Sequence, residues 1–160
     1  MTSESTPDPV FVREFLEALH DSARLHLLLG DSASAEDDFR RALDMARSIG
    51  LDRGITLNLV SLGDLEFRRK RTEAAMALYE QARQRAVATG VQHALALCLL
   101  RLARVNRSQQ QVALASAATD ESLAIARKIG APGLEAEALF SRAELARVQK
   151  RFDRALANYQ

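Results

Sequence analysis

The chain has 160 residues, enough to bury one core, and its 48% hydrophobic and 27% charged content is that of an ordinary soluble protein. Its 22 basic and 21 acidic side chains nearly cancel, so no overall field would recruit nucleic acid or an anionic membrane. Aromatics are scarce, tryptophan is absent, and alanine and leucine dominate, which predicts helices and argues against an all-β core.

Residues 1–8 are rich in Ser, Thr, Pro and acidic side chains and are expected to form a disordered tail, with Pro9 near the start of the first helix. They contain no basic segment followed by an apolar one, and no apolar run in the chain approaches the ~18 residues a membrane span needs. The expected compartment is the cytosol.

The stretch Ala42 to Gly50, "ALDMARSIG", puts small and apolar residues at helical spacing and ends on a glycine. That glycine returns at Gly90 and Gly130, closing "AVATG" and "ARKIG". Ala46, Ala86 and Ala126 keep the same register, as do Ala35, Ala75, Ala115 and Ala155. Each glycine is expected to cap a helix C-terminus in the left-handed conformation.

Between glycines there is room for two helices. In the second unit Ile55, Leu59, Leu62 and Leu65 form one apolar face, "RRKRT" breaks it, and Ala75, Leu78, Tyr79, Ala82 and Ala86 form another. So short a connection makes the two helices an antiparallel pair. Neither helix can bury its face alone, and stacking successive pairs supplies the missing surface. The units are 9–50, 51–90, 91–130 and 131–160, the last incomplete: "RFDRALANYQ" is expected to begin a second helix of a fourth pair and to stop after about two turns, as in a fragment of a longer protein.

Leu59, Leu62 and Gly63, followed by Ala75, Tyr79 and Ala82, resemble the tetratricopeptide repeat. The first unit carries the pattern as Ala23, Ala35, Phe39 and Ala42, the third as Leu99, Leu102, Ala103 and Ala115, and the fourth as Leu139, Ala143, Phe152, Ala155 and Tyr159. The third unit departs from it, with Thr119 in the aromatic slot and Ser122 in the next small slot, and is expected to be weaker there. The period is longer than the family's usual one, as in its long-repeat variants. The resemblance implies an all-α fold, a right-handed α-solenoid of antiparallel helix pairs spanning 9–160. It also implies a concave groove lined by the first helices, where partners dock.

Carried onto this chain, that groove would hold His20 and Arg24, then Leu57, Val60, Asp64 and Phe67, then Leu97, Leu100, Arg101 and Arg104, and finally Glu137, Phe140 and Glu144. Val60, Leu100 and Phe140 occupy equivalent slots, so the resemblance implies either an apolar stripe flanked by arginines or residues that pack on the neighbouring pair. An amphipathic or extended peptide with an acidic residue would suit the former. The family's carboxylate clamp is not matched, because Ser61 and Leu97 replace two of its members.

No catalytic chemistry is legible. His20 and His26, six residues apart on one helix, lie on different faces and cannot share a metal. The single Cys98, in an apolar run, reads as a core thiol. The glycines are isolated rather than forming a phosphate loop. Asp37 with Asp38, and Glu135 with Glu137, read as solvated charge, and the run Arg68, Arg69, Lys70, Arg71 as solvated charge at a turn. The sequence thus predicts neither catalysis nor a cofactor, and a noncatalytic scaffold binding a protein or peptide. The alternative is a sensory input region of a larger bacterial signalling or transcription-regulator protein, and self-association through an exposed end face is a further possibility.

Overall fold

A computed structural model describes the backbone of residues 9–157 and the side chains of residues 10–151. The described chain is all-α: α1 (Pro9–Leu28), α2 (Ser32–Ser48), α3 (Asp52–Arg68), α4 (Thr72–Thr89), α5 (Gln92–Ser108), α6 (Val112–Lys128) and α7 (Pro132–Ala157). The expected disorder of residues 1–8 lies outside the described residues, as does Tyr159.

The turns are more regular than the sequence suggests. Left-handed backbone occurs at Gly30, Gly50, Lys70, Gly90, Gln110 and Gly130, one position every twenty residues. At each, the next N–H reaches back to the carbonyl five residues earlier, as in Leu51 to Ala46 at 2.9 Å and Gln111 to Asn106 at 2.8 Å. That bond closes the preceding helix in a Schellman turn. The same residue then accepts the first bond of the next helix, as Leu51 does from Ile55 at 3.0 Å. A connection with so little slack forces each helix back along its predecessor.

At the next position in this register, Lys150, the expected turn is absent and α7 runs straight through it. A non-glycine residue in left-handed backbone costs about 1–2 kcal/mol. At Lys70 and Gln110 that cost is offset by a long second helix, where α4 buries Ala75, Tyr79, Ala82 and Ala86 and α6 buries Ala115, Leu123 and Ala126. At Lys150 the backbone stays right-handed and that cost does not arise.

Each helix packs on its chain neighbours, and α3 also packs on α5, and α5 on α7. The main core joins Leu16, Phe39, Leu59, Leu65 and Tyr79 to Cys98 and Val105 from the third unit. A second core joins Leu100, Leu123, Leu134 and Ala138 across α5, α6 and α7. Thr119 and Ser122, the two departures in the third unit, are both fully buried and both bonded. Thr119 Oγ1 lies 3.0 Å from Ser141 Oγ of α7, and Ser122 Oγ donates to the Ala96 carbonyl at 2.8 Å. A hydroxyl bridge to the neighbouring helix thus stands where the first two units place the rings of Phe39 and Tyr79.

Candidate functional site

The odd-numbered helices carry the residues assigned to a groove, and the structure divides them into three groups. Val60 and Leu100 are core residues, 2% and 3% exposed, and cannot belong to an open apolar stripe. Their slots point into the contacts α3 and α5 make with neighbouring helices, so they pack within the fold instead. Phe140 alone of the equivalent three is open, at 67% exposure, because no helix follows α5 and α7 on that side among the described residues. Leu57 and Leu97 are half-buried, and Arg24 is exposed. His20 packs edge-on against Phe39, ring centres 5.4 Å apart.

Asp64, Phe67, Arg101, Arg104 and Glu137 converge into one polar cluster with Tyr79 of α4. Asp64 Oδ1 accepts from the Tyr79 hydroxyl at 2.7 Å and from Arg104 Nη2, while Oδ2 accepts from Arg101 Nε at 3.1 Å. Arg101 also donates to Glu137 of α7. Arg104 lies over the Phe67 ring, 4.6 Å from its centre, a cation–π contact that fixes the guanidinium plane. Burial first, and then the Asp64 carboxylate, push the Tyr79 pKa well up, so its hydroxyl is a fixed donor. Glu144 stands apart, between Arg107 at 3.7 Å and Arg147 at 2.7 Å.

These ion pairs use groups expected to face a partner. Arg101, with an 18% exposed side chain, is held between two carboxylates and has little left to offer an acidic peptide. The cluster ties α3, α4, α5 and α7 into one register.

Two readings of surface charge change. Asp38 is not solvated: it is 7% exposed and accepts from Ser22 Oγ at 2.7 Å, with His26 Nδ1 at 3.1 Å. A signal was present, since Asp38 sits three residues after Ala35 and four before Ala42, on the apolar face of α2. Nor is the basic run uniformly solvated. Arg69 reaches Glu36 of α2 at 2.5 Å and the Ser32 carbonyl at 3.3 Å, and Arg71 pairs with Glu66 at 2.6 Å. Arg68 has no carboxylate partner among the described residues.

Three of the clefts in the described surface bear on these residues. One of about 450 Å³ lies between α1 and α3, lined by Leu16, His20, Arg53, Leu57 and Asn58. Another of about 320 Å³ lies among α1, α3 and α5, lined by Arg24, Leu28, Asp64, Arg68 and Arg104. The third, about 540 Å³, is bounded by α2, α3 and α4, and its charges pair internally, as Glu36 does with Arg40 and Arg71 with Glu66. Among the described residues two buried side-chain polar atoms lack a hydrogen-bond partner, Asn58 Oδ1 and Arg104 Nε. Asn58 lines the first cleft and Arg104 the second. Asn58 cannot reverse its amide to escape this, because its Nδ2 already donates to the Gly54 carbonyl at 2.9 Å.

Among the described residues no three His, Cys, Asp or Glu side chains converge as metal ligands, and no helix is long and apolar enough to cross a membrane. No protein-family model matches the chain, and no curated protein matches it.

Proposed function

We propose that the chain is a tetratricopeptide-like, right-handed solenoid that serves as a noncatalytic scaffold, binding a protein or peptide on the face formed by its odd-numbered helices. One observation carries this assignment: the cleft among α1, α3 and α5 holds Arg68, without a carboxylate partner among the described residues, and Arg24, with one only at 3.9 Å, whereas in the α2–α4 cleft Glu36 pairs with Arg40 and Arg71 with Glu66. A guanidinium without a carboxylate partner is free to take one from a ligand. The concavity is supported by the contacts of α3 with α5 and α5 with α7, an inner row from which the even-numbered helices splay. The repeating turns and the close approach of Gly63 to Tyr79 support the family likeness. Rigid walls of this kind reduce the ordering cost that a flexible binding surface would incur.

Selection of a random displayed peptide library on the immobilised full chain tests the assignment. The expected binders are retained by Arg47→Glu, in the α2–α4 cleft, and lost by Leu57→Arg, in the α1–α3 cleft, while both variants keep wild-type helicity. Binders lost only by Arg47→Glu would move the site to the other face. A library that yields no binder would remove the peptide-binding function.

A further inference from the structure

We propose that Arg24, Arg68 and Arg104 form a receptor for the carboxylate of an acidic residue flanked by apolar ones in the partner peptide. The assignment rests on the peptide-binding face proposed above and names the chemistry that one of its clefts accepts.

The cleft among α1, α3 and α5 is lined by three guanidinium groups and a single carboxylate, Asp64. That carboxylate is already engaged by Tyr79, Arg101 and Arg104. Positive charge therefore remains uncompensated at the cleft. Arg68 has no carboxylate partner among the described residues, and Arg24 meets Asp21 only at 3.9 Å, with both side chains at least 70% exposed. A pair that open to solvent holds its guanidinium weakly and releases it readily. Arg104, its side chain 37% exposed, lines the cleft in an orientation set by Phe67 and Asp64. An oriented guanidinium with two weakly held ones in the same cleft is the arrangement that carboxylates select, through charge-assisted and often bidentate bonds.

The walls specify what accompanies the charge. Leu27, Leu28 and Leu65 line the same cleft, and Leu28 is 83% exposed, continuing to Leu29 at 81% and Leu25 at 60%. An apolar shelf beside an arginine cluster complements an acidic side chain next to leucine-like ones, whereas a small free anion would leave that shelf uncovered. Arg101 is excluded from the receptor, since Asp64 and Glu137 satisfy it.

The test uses the full chain and a short fluorescein-labelled peptide of leucine and glutamate, beside the same peptide with glutamine in place of glutamate. Fluorescence anisotropy is expected to give about tenfold tighter binding for the glutamate peptide, the difference shrinking as salt rises. Arg24→Gln and Arg68→Gln, at exposed positions without strong ion pairs, are expected each to erase most of that difference while leaving helicity and thermal midpoint unchanged. Leu28→Glu is expected to weaken both peptides. Equal binding of the two peptides, or indifference to Arg68→Gln, overturns the receptor. If library binders lost by Leu57→Arg persist beside that result, the groove stands and only its anion chemistry fails. Inorganic phosphate that competes at matched ionic strength as well as unlabelled peptide would make this a general anion site and overturn the proposal. Sedimentation showing dimers that Leu28→Glu disperses would assign the face to a second copy and overturn it too.

Discussion

A Cβ atom on Gly63 would stand 2.5 Å from Cε1 of Tyr79 and 2.8 Å from its Cδ1, so the α3 backbone lies directly against the α4 ring. The ring has no room to give way, since Tyr79 is fully buried and its hydroxyl is held by Asp64 at 2.7 Å. Gly63→Ala sets helix propensity, which favours alanine by about 1 kcal/mol, against overpacking of about 1–3 kcal/mol. With the ring unable to move, overpacking is expected at the upper end of that range and to win, lowering stability by up to about 2 kcal/mol in urea unfolding. An unchanged or raised midpoint would show that the helices can part there.

Lys70 and Gln110 adopt left-handed backbone, φ 63° and 62°, at positions equivalent to Gly30. Replacing either with glycine removes a cost of about 1–2 kcal/mol and returns part of it as unfolded-chain entropy. Each variant is expected to raise the thermal midpoint by about 2–4 °C. Lys150→Gly, the same register position inside right-handed helix, is expected to lower it. Calorimetry on the three variants separates the two signs.

Asp64→Asn keeps the shape of the carboxylate but removes the charge shared by Arg101 and Arg104. The guanidiniums then lose their shared counter-charge, and one of them meets an amide NH2 in place of an acceptor, with an expected cost of about 2 kcal/mol. Tyr79→Phe, which removes one neutral donor, is expected to cost about 1 kcal/mol. If the double variant costs less than the sum of the singles, the two groups act as a coupled network.

Glu36 accepts from Arg69 at 2.5 Å and from Arg40 at 2.6 Å, and the Arg69 bond, more than the Arg40 bond and against opposing burial, holds its carboxyl below the ordinary range. The folded state therefore binds fewer protons than the unfolded one. The resulting stability is present above about pH 4.3 and is lost as pH falls through the lowered folded value. Partly exposed, the pair contributes at most about 1 kcal/mol. Glu36→Gln is expected to be less stable than wild type at neutral pH and to lose less on acidification, read as urea midpoints at the two pH values.

Cys98 is fully buried in the main core, and that burial pushes its thiol up to about 12. Its thiolate is scarce and shielded, so iodoacetamide is expected to label the native chain only through opening of the core. Low urea concentrations should accelerate labelling. Labelling at the rate of a free thiol would place Cys98 outside the core.

The helical pairing was legible in the sequence because it rests on short-range chemistry: apolar spacing and a glycine after each second helix encode local hydrogen-bond closure. The half-beat at Lys70 and Gln110 was not legible, because those side chains carry no left-handed preference, and packing of the following helix imposes the conformation. Nor was the continuation of α7 through Lys150 legible, where the register leads one to expect a turn. Asp64, Phe67, Arg101 and Arg104 could be assigned to one face by register, but not their mutual pairing, which joins residues up to forty positions apart. Nor could register separate Val60 and Leu100, held in the core, from Phe140, left open. Periodicity fixes the direction in which a side chain leaves its helix. Only the packing of the next helix decides whether that direction ends in core, in an ion pair or in solvent.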